Sequence, residues 1–284
     1  MSDFVQQQRS VCNFCSSDSW VILSPIELSI KLKIEAIGIP LKNWNVQINY
    51  GIKTGYNDAF IISEAKRNEI IANCKDEEER KRTDELIRPI LRGRDIKRYG
   101  YVDSGLFLIN THNGIKGRIP RIKIEDYPSV KNHLDQYWDK IATRADKGDT
   151  PYNLRNCAYL EDFSQPKIVW GNLNLRARFA LVENDSFINA PSPMIVPASA
   201  YLLGVLNSKL ADYYIRKLGV TRNGGYFEYK PMFVEQLPIP VENQLKTSIE
   251  DAVKTRNEVQ IDNYVYLMYG LTDEEIKYVE SRDV

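Results

Sequence analysis

Two stretches of this chain carry its most informative pattern. Gly51–Ile62 has the sequence GIKTGYNDAFII, and Ile87–Tyr101 has the sequence IRPILRGRDIKRYGY. Glycines let a backbone come close to a partner, and guanidinium groups offer forked donors that suit phosphates and guanine edges. Both stretches therefore predict contact with nucleic acid, although the first also fits a plain β-turn between two strands. The candidate contact residues are Lys53, Thr54, Asn57, Arg92, Arg94 and Lys97.

The charge distribution points to the same part of the chain. The net charge over 284 residues is zero, but residues 1–84 sum to −1, residues 85–180 to +6 and residues 181–284 to −5. A basic region on a neutral chain is a candidate surface for an anionic polymer. The middle third is therefore the predicted DNA-binding part.

Composition places the chain among ordinary globular proteins, with 43% hydrophobic and 27% charged residues. Its apolar runs are too short to span a bilayer, and its first residues lack a secretory pattern. The four cysteines include the pair Cys12 and Cys15, but a second pair at zinc-ligand spacing does not follow. These features predict a cytoplasmic protein that binds neither a membrane nor a structural zinc ion.

Three further segments hold candidate DNA-binding residues. The polar loop from Arg144 to Cys157 includes Arg155, and long polar loops often carry specificity. The segment Trp170–Arg178 alternates polar residues, which would share one face of a strand; asparagine can pair with adenine and arginine with guanine. Arg222 precedes a glycine pair, where it could bind a phosphate or belong to a simple turn. The alternating residues are Asn172, Asn174, Arg176 and Arg178.

The pattern of elements predicts a mixed α+β module followed by a helical tail. A capping box at Ser24–Glu27 and another at Thr272–Glu275 predict helix starts. Strands are expected at 47–50, 59–62, 107–109, 168–170, 179–182, 187–189 and 194–196. Helices are expected over 63–87, 201–218 and 242–268, with the charged run 75–82 as a solvated face. We expect residues 1–240 to form the recognition module, with 1–23 as a lead-in, and 241–284 to form the tail.

Two alternative functions are open at this point. Asp212, Glu228 and Lys230 have the spacing of a Mg²⁺-dependent nuclease, in which two carboxylates hold the metal and a lysine orients a water. Asp212 falls within a predicted helix, however, where such a site needs an acid on a strand. The other alternative is an assembly module that does not bind DNA, whose acidic helices after residue 242 dock a partner.

Seven short blocks in a fixed order resemble a known family, the TaqI-like C-terminal specificity domain of adenine-specific DNA methyltransferases and type IIG restriction-modification enzymes. The resemblance covers the chain from about Ser24 to its end. The blocks are Lys42–Trp44, Asn153–Tyr159, Pro166–Trp170, Leu203–Lys209, Gly224–Tyr229, Gln236–Pro240 and Tyr269–Glu275.

The resemblance implies a module that reads a DNA sequence while other domains perform the chemistry. The methyltransferases of this family carry an Asn/Asp-Pro-Pro-aromatic tetrapeptide, and the nearest match here, Asn189–Ser192, lacks the second proline and the aromatic residue. We therefore expect this chain not to be an enzyme by itself and to need no cofactor. S-adenosylmethionine and Mg²⁺ are expected in the associated catalytic domains. The implied partners are double-stranded DNA and an adenine methyltransferase or nuclease module in the same or a partner chain.

Overall fold

The computed structural model of this protein describes residues 23–183 and 185–282, so Cys12 and Cys15 lie outside the described residues. The fold is α+β and ends in helices, as predicted. The helices are α1 (Pro25–Ile37), α2 (Asn57–Phe60), α3 (Glu64–Ala72), α4 (Glu77–Leu86), α5 (Pro128–Asp135), α6 (Trp138–Ile141), α7 (Ala200–Asn207), α8 (Lys209–Leu218), α9 (Pro231–Val234), α10 (Lys246–Lys254), α11 (Glu258–Met268) and α12 (Asp273–Glu280).

The strands are short and are spread over the whole chain. They are β1 (Ile39–Pro40), β2 (Gln47–Tyr50), β3 (Ile61–Ser63), β4 (Ile87–Leu91), β5 (Ile96–Lys97), β6 (Gly100–Tyr101), β7 (Leu106–Ile109), β8 (Lys167–Trp170), β9 (Leu173–Asn174), β10 (Phe179–Val182), β11 (Phe187–Ile188), β12 (Pro193–Val196), β13 (Phe227–Glu228) and β14 (Pro238–Ile239). Among the described helices, none is long and apolar enough to cross a membrane.

Two four-stranded sheets organise the molecule. The central sheet is antiparallel with the order β10-β8-β12-β2. The second sheet has the order β11-β4-β7-β3, and its edge strand β11 runs parallel to β4. Strand β8 is buried along its whole length because the central sheet is covered on both faces, which accounts for its apolar run Ile168–Trp170.

Each face of the central sheet contributes to a separate hydrophobic core. Ile168 and Trp170 pack into the first core, whereas Val169 between them packs into the second. Alternate side chains of a strand point to opposite faces, so one short strand joins both cores. The indole N–H of Trp170 donates to the Tyr229 carbonyl at 2.6 Å, which ties the sheet to the segment after β13.

The helical tail packs on the first core. Ile249, Ile261 and Val265 from α10 and α11 are buried there together with Ile30 of α1. A β-carbon at Gly204 in α7 would lie 2.6 Å from Ile249, so the glycine permits the close crossing of α7 and α10. The hydrophobic packing is thus continuous across residue 240, and the boundary predicted there stays a prediction.

Both predicted capping boxes are confirmed. Ser24 accepts a hydrogen bond from the Glu27 N–H while the Glu27 carboxylate accepts from Ser24 N–H, and Thr272 and Glu275 do the same at α12. Glu275 also accepts hydrogen bonds from Ser29 Oγ and Lys33 Nζ of α1, both at 2.6 Å. The cap that starts the last helix therefore also fastens it to the first described helix.

Several predicted elements differ from those observed. The helix expected over 201–218 is broken at Ser208, whose extended backbone (φ −66°, ψ 153°) lets its side chain cap α8. The helix expected over 242–268 is broken before Asn257, which caps α11. Residues 63–87 form α3, α4 and the start of β4, and Asn57–Phe60 form a helical turn before a strand that begins at Ile61. The charged run is not fully solvated, since Glu79 is buried and accepts hydrogen bonds from Ser129.

Candidate nucleic-acid interface

The turn at Lys53–Asn57 divides its side chains between interior and surface. Thr54 is buried, and its hydroxyl donates to Asn57 Oδ1 at 2.6 Å, so two predicted contact residues bind each other. Gly55 has φ +70°, a left-handed conformation that favours glycine. Lys53 is exposed over 56% of its side chain, and its Nζ lies 3.6 Å from Asp146 Oδ2. Lys53 is therefore the charged group that this turn exposes to solvent.

The loop after α6 is held by Arg144 from the inside. The Arg144 guanidinium is buried, lies 4.3 Å from the centre of the Phe60 ring, and donates to the carbonyls of Asp146, Pro151 and Asn153. Burial lowers the pKa of Arg144 to about 10. The prediction that Arg144 contacts DNA does not fit this burial, because all its donors point into the protein. Its role is to shape the loop.

Arg155 at the end of the same loop is different. Its side chain is 57% exposed, and Nη1 lies 3.1 Å from Asp146 Oδ1. Lys53 and Arg155 thus share one carboxylate although they are far apart in the sequence. Surface ion pairs of this kind are weak and exchange readily for other anions.

These two cations line a cleft of about 590 Å³, which also contains Asn172. The other lining residues are Tyr50–Ile52, Asn156–Tyr159, Ala190 and Pro191. Gly51 sits where a β-carbon would lie 2.2 Å from the Ile188 carbonyl oxygen, so the chain can turn here only as glycine. The fold therefore brings three predicted contact residues from three separate segments into one concave site.

The cleft continues into hollows on both sides. One hollow of about 760 Å³ shares Asn156, Cys157 and Ala158 with the cleft and is bounded by residues 113–121. The other, of about 560 Å³, shares Asn172 with it and is bounded by Arg222, Glu228 and Lys230. We call the cleft and both hollows the concave face.

The basic turn Arg92–Arg98 adjoins the concave face. A β-carbon on Gly93 would lie 2.8 Å from Ser192 Oγ and 3.7 Å from the Gly171 Cα, so this turn packs beside the segment that carries Asn172. Arg92 is engaged by Asp95, with Nε and Nη2 donating at 2.9 and 3.0 Å. Lys97 donates to the Arg94 carbonyl at 2.7 Å, and Arg94 itself is exposed and forms no ion pair within the described residues.

The segment 172–178 does not form the predicted strand with four polar residues on one face. Strand structure is confined to Leu173–Asn174. Asn174 is partly buried and donates its amide to the Gly171 carbonyl at 2.7 Å, while Leu173 and Leu175 are exposed. Arg176 is exposed and Arg178 is half-buried. Residues 173–175 do alternate between the two faces, but in the opposite sense to the prediction. Leu173 and Leu175 face solvent, and Asn174 faces the protein.

The three residues of the nuclease alternative are occupied by other contacts. Asp212 is buried; Oδ1 accepts from the Ala177 N–H at 2.8 Å and from the Tyr229 hydroxyl, and Oδ2 accepts from Arg216 at 3.2 Å. Burial raises the pKa of Asp212. Within residues 23–183 and 185–282, there is no group of three or more His, Cys, Asp or Glu side chains that could hold a metal ion.

Glu228 is held by two cations on the concave face. Its Oε2 lies 2.8 Å from Lys230 Nζ, and its Oε1 accepts from Arg222 Nε at 2.6 Å. Hydrogen bonds from Lys230 and Arg222 hold the pKa of Glu228 below its usual value. Both carboxylates of the predicted metal pair are therefore saturated by protein donors, and the arrangement does not fit a Mg²⁺ site.

The concave face also contains a basic loop, Asn113–Lys123, that we did not single out from the sequence. Its two glycines, Gly114 and Gly117, have φ +73° and +78°. Lys116 is exposed, Arg118 pairs with Glu161, and Arg121 lies 3.0 Å from Asp149. Residues 104–124 contain four basic and no acidic residues, more bases than any other acid-free stretch of this chain. This acid-free run is the sequence feature from which the basic loop could have been predicted.

Two solved structures of restriction-modification enzymes match this chain. The solved structure of the Type IIL restriction-modification enzyme MmeI in complex with DNA matches with a TM-score of 0.63 and 13% identity, over 85% of this chain and 36% of that one. The type IIG restriction endonuclease BpuSI matches with a TM-score of 0.48 and 14% identity, over 86% of this chain and 33% of that one. This chain thus spans about a third of each.

The MmeI match shows a shared fold. The family follows from the sequence itself, because residues 88–239 match the family model described as the TaqI-like C-terminal specificity domain. That segment includes the basic turn, the basic loop, Arg222 and the part of the cleft from residue 155 onward, but not Tyr50–Lys53. Since the match covers more than half of its length, this chain belongs to the family of TaqI-like C-terminal specificity domains.

Proposed function

We propose that this chain is the sequence-specific DNA-recognition module of a type IIG restriction-modification enzyme or an adenine-N6 DNA methyltransferase. The observation that carries the proposal is the meeting of Lys53, Arg155 and Asn172 in one cleft. Two cations and an amide on a concave surface match the two needs of a DNA reader, which are phosphate binding and base contact. Membership of a specificity-domain family supports the same role.

Exposure divides the candidate residues into groups. Lys53, Arg94, Lys97, Arg155 and Arg222 are exposed cations, and we assign them to phosphates. Asn172 in the cleft and Arg176 beside it are assigned to base edges, with Asn174, Arg178 and Arg92 as supports of the same turns. Thr54, Asn57 and Arg144 are assigned to the framework because their polar groups bind within the protein.

Three of the cations assigned to phosphates pair with carboxylates in this structure. Lys53 and Arg155 share Asp146, and Arg222 shares Glu228 with Lys230. A phosphate that enters replaces the carboxylate as the partner, so net affinity from each contact is small. Weak contacts of this kind suit a module whose binding is completed by a linked catalytic part.

The chemistry is proposed to reside in that catalytic part, in the same or a partner chain, together with S-adenosylmethionine and Mg²⁺. The saturation of Asp212 and Glu228 supports this assignment over the nuclease alternative. Residues 1–240 are proposed as the recognition module and residues 241–284 as its supporting tail, since the concave face lies entirely before residue 240.

A salt titration tests the proposal. Binding of labelled duplex DNA should be weak and should fall steeply with salt, with each phosphate contact adding about 0.9 to the slope of log K against log salt. Lys53→Ala and Arg155→Ala should each flatten the slope by about one such contact. Lys254→Ala is the matched control, because that lysine is also exposed and paired with an aspartate but lies in α10.

Two outcomes contradict the proposal in different ways. If the full chain does not bind any duplex at low salt, DNA recognition is wrong and the assembly-module alternative gains. If it binds but Lys53→Ala, Arg155→Ala and Lys254→Ala have equal slopes, the concave face is not the site.

A further inference from the structure

The two-stranded ribbon β9–β13 exposes apolar side chains at the edge of the concave face. Leu173, Leu175 and Tyr226 are exposed over 49%, 46% and 40% of their surface. Phe227 pairs with Asn174 and Glu228 pairs with Leu173, and Tyr226 and Leu175 directly adjoin these paired residues outside the strands. Asn174, between the two leucines, is turned toward the protein, and we assign the three exposed side chains to the outer face of the ribbon. We call this set the apolar tip.

The inner face of the ribbon fixes this orientation. Phe227 packs on the first core, and the Arg216 guanidinium lies 4.0 Å from the centre of its ring. The Tyr229 N–H donates to the Asn172 carbonyl at 2.8 Å, which holds the two segments in register. A shift by one residue would turn Phe227 away from the first core. The leucines are thus turned outward by the packing of their neighbours.

The turn that joins the ribbon to α8 is compact. Gly224 and Gly225 both have φ +77°, and the Arg222 N–H donates to the Tyr226 carbonyl at 2.6 Å. Leu175 Cδ2 lies 4.0 Å from the place that a β-carbon on Gly225 would occupy. Leu175 therefore lies next to the glycine turn, which brings it close to Tyr226.

Three cations lie beside the apolar tip. Arg176 follows Leu175, is exposed, and forms no ion pair within the part of the chain that the structure describes. Arg222 and Lys230 flank Leu173 in the adjoining hollow, with 54% and 39% of their side chains exposed. The buried centre of a protein–protein interface is depleted of charge, above all of lysine. Apolar side chains with cations beside them, two of which also pair with Glu228, fit duplex DNA better, because phosphates flank every base step.

The geometry points to the apolar tip as a wedge that enters a DNA groove and partly unstacks one base step, while Arg176, Arg222 and Lys230 hold the phosphates beside it. This inference rests on the proposed function and goes beyond it, since it assigns deformation of the duplex to residues other than the polar readers. Leucine and other apolar side chains are the groups that proteins insert between base steps. Unstacking costs less at flexible pyrimidine–purine steps, so the wedge selects sequence through deformability.

The test uses the full chain and a duplex recovered by selection from a random pool, with 2-aminopurine replacing one adenine at a time. The fluorescence of 2-aminopurine rises when the base is unstacked. Wild type should raise it at one step, and the double variant Leu175→Ala, Tyr226→Ala should abolish the rise and bind about fivefold more weakly, which is about 1 kcal/mol. Leu267→Ala is the control, since that leucine is 67% exposed on α11.

The outcomes separate the wedge from the function on which it rests. Failure of wild type to bind or select any duplex would refute both. Selection with normal affinity but without a fluorescence rise at any position would refute the wedge and leave DNA recognition standing. An equal loss of affinity in Leu267→Ala would also refute the wedge. So would a double variant that binds and unstacks DNA like wild type, and that result would assign the apolar tip to a protein partner.

Discussion

Replacing Asp146 by asparagine should make this protein bind DNA more tightly. The Asp146 carboxylate lies 3.6 Å from Lys53 Nζ and 3.1 Å from Arg155 Nη1, so its one negative charge offsets part of the charge of both cations of the cleft. The change leaves the loop in place, because Arg144 binds the main-chain carbonyl of Asp146 and not its side chain. The substitution therefore removes one negative charge from the cleft with little change in shape.

The magnitude follows from Coulomb's law. A phosphate that contacts both cations would lie about 6 Å from the carboxylate, where the repulsion is about 0.7 kcal/mol in water and about 1.4 kcal/mol at a dielectric constant of about 40. Removal of that repulsion predicts binding about three- to tenfold tighter at low salt. The gain should shrink as salt is added, since exposed charges at this separation are screened.

Fluorescence anisotropy with a labelled duplex at several salt concentrations measures this effect. Asp251→Asn is the matched control, because Asp251 is an exposed aspartate that lies 2.7 Å from Lys254 in α10. The control should change affinity much less than Asp146→Asn does. Unchanged or weaker binding by Asp146→Asn would refute the reasoning, since it would mean that a phosphate does not compete with Asp146 for Lys53 and Arg155.

Three other predictions concern stability and chemistry. Arg144→Met should lower the free energy of unfolding by about 3 kcal/mol in denaturant titrations, because it removes three hydrogen bonds from a buried guanidinium to main-chain carbonyls; a loss under 1 kcal/mol would show that the loop does not need it. Burial alone would raise the pKa of Glu275, but hydrogen bonds from Lys33 and other donors lower it to about 2, so its ionised form stabilises the fold above about pH 4.5 and this contribution is lost as the pH falls toward 2. Glu275→Gln should therefore reduce stability by about 1–2 kcal/mol at neutral pH and by almost nothing near pH 2, and a pH-independent difference in melting temperature would contradict this. The chain with Mg²⁺ and S-adenosylmethionine should neither cut nor methylate duplex DNA, and cleavage that Glu228→Ala abolishes would restore the nuclease alternative.

Local rules predicted the helix starts well and the helix breaks badly. Ser24 and Thr272 form caps within three residues of sequence, so the capping signal is complete in itself. The break at Ser208 depends on the tail, because the N–H of Lys209 donates to Asp262 Oδ1, 53 residues away, at 2.8 Å. The apolar pattern continues through residue 208, so the sequence around Ser208 does not indicate the contact with Asp262.

The candidate site was predicted in outline but not in detail. Lys53 and Arg155 were found as exposed cations, but their meeting at Asp146 depends on the packing of three segments. Arg144 had the same sequence context as Arg155, and burial against Phe60 separates the two. The prediction that the polar residues of Asn172–Arg178 share one face of a strand was wrong for Asn174, because pairing with Phe227 turns it inward. The basic loop was visible as an acid-free run and was missed for lack of a turn motif.

The way in which Arg144 holds its loop has an evolutionary consequence. Its three acceptors are main-chain carbonyls, which every amino acid provides. This part of the loop's support is therefore independent of the exposed side chains, with Gly148, where a β-carbon would lie 2.6 Å from Asn113, and the buried Asn153, whose amide donates to the Ile122 carbonyl, as fixed points. Mutations at the exposed positions can accumulate without the backbone being rebuilt each time. A scaffold of this kind can acquire a new recognition sequence by single substitutions, each tested by selection on an intact fold.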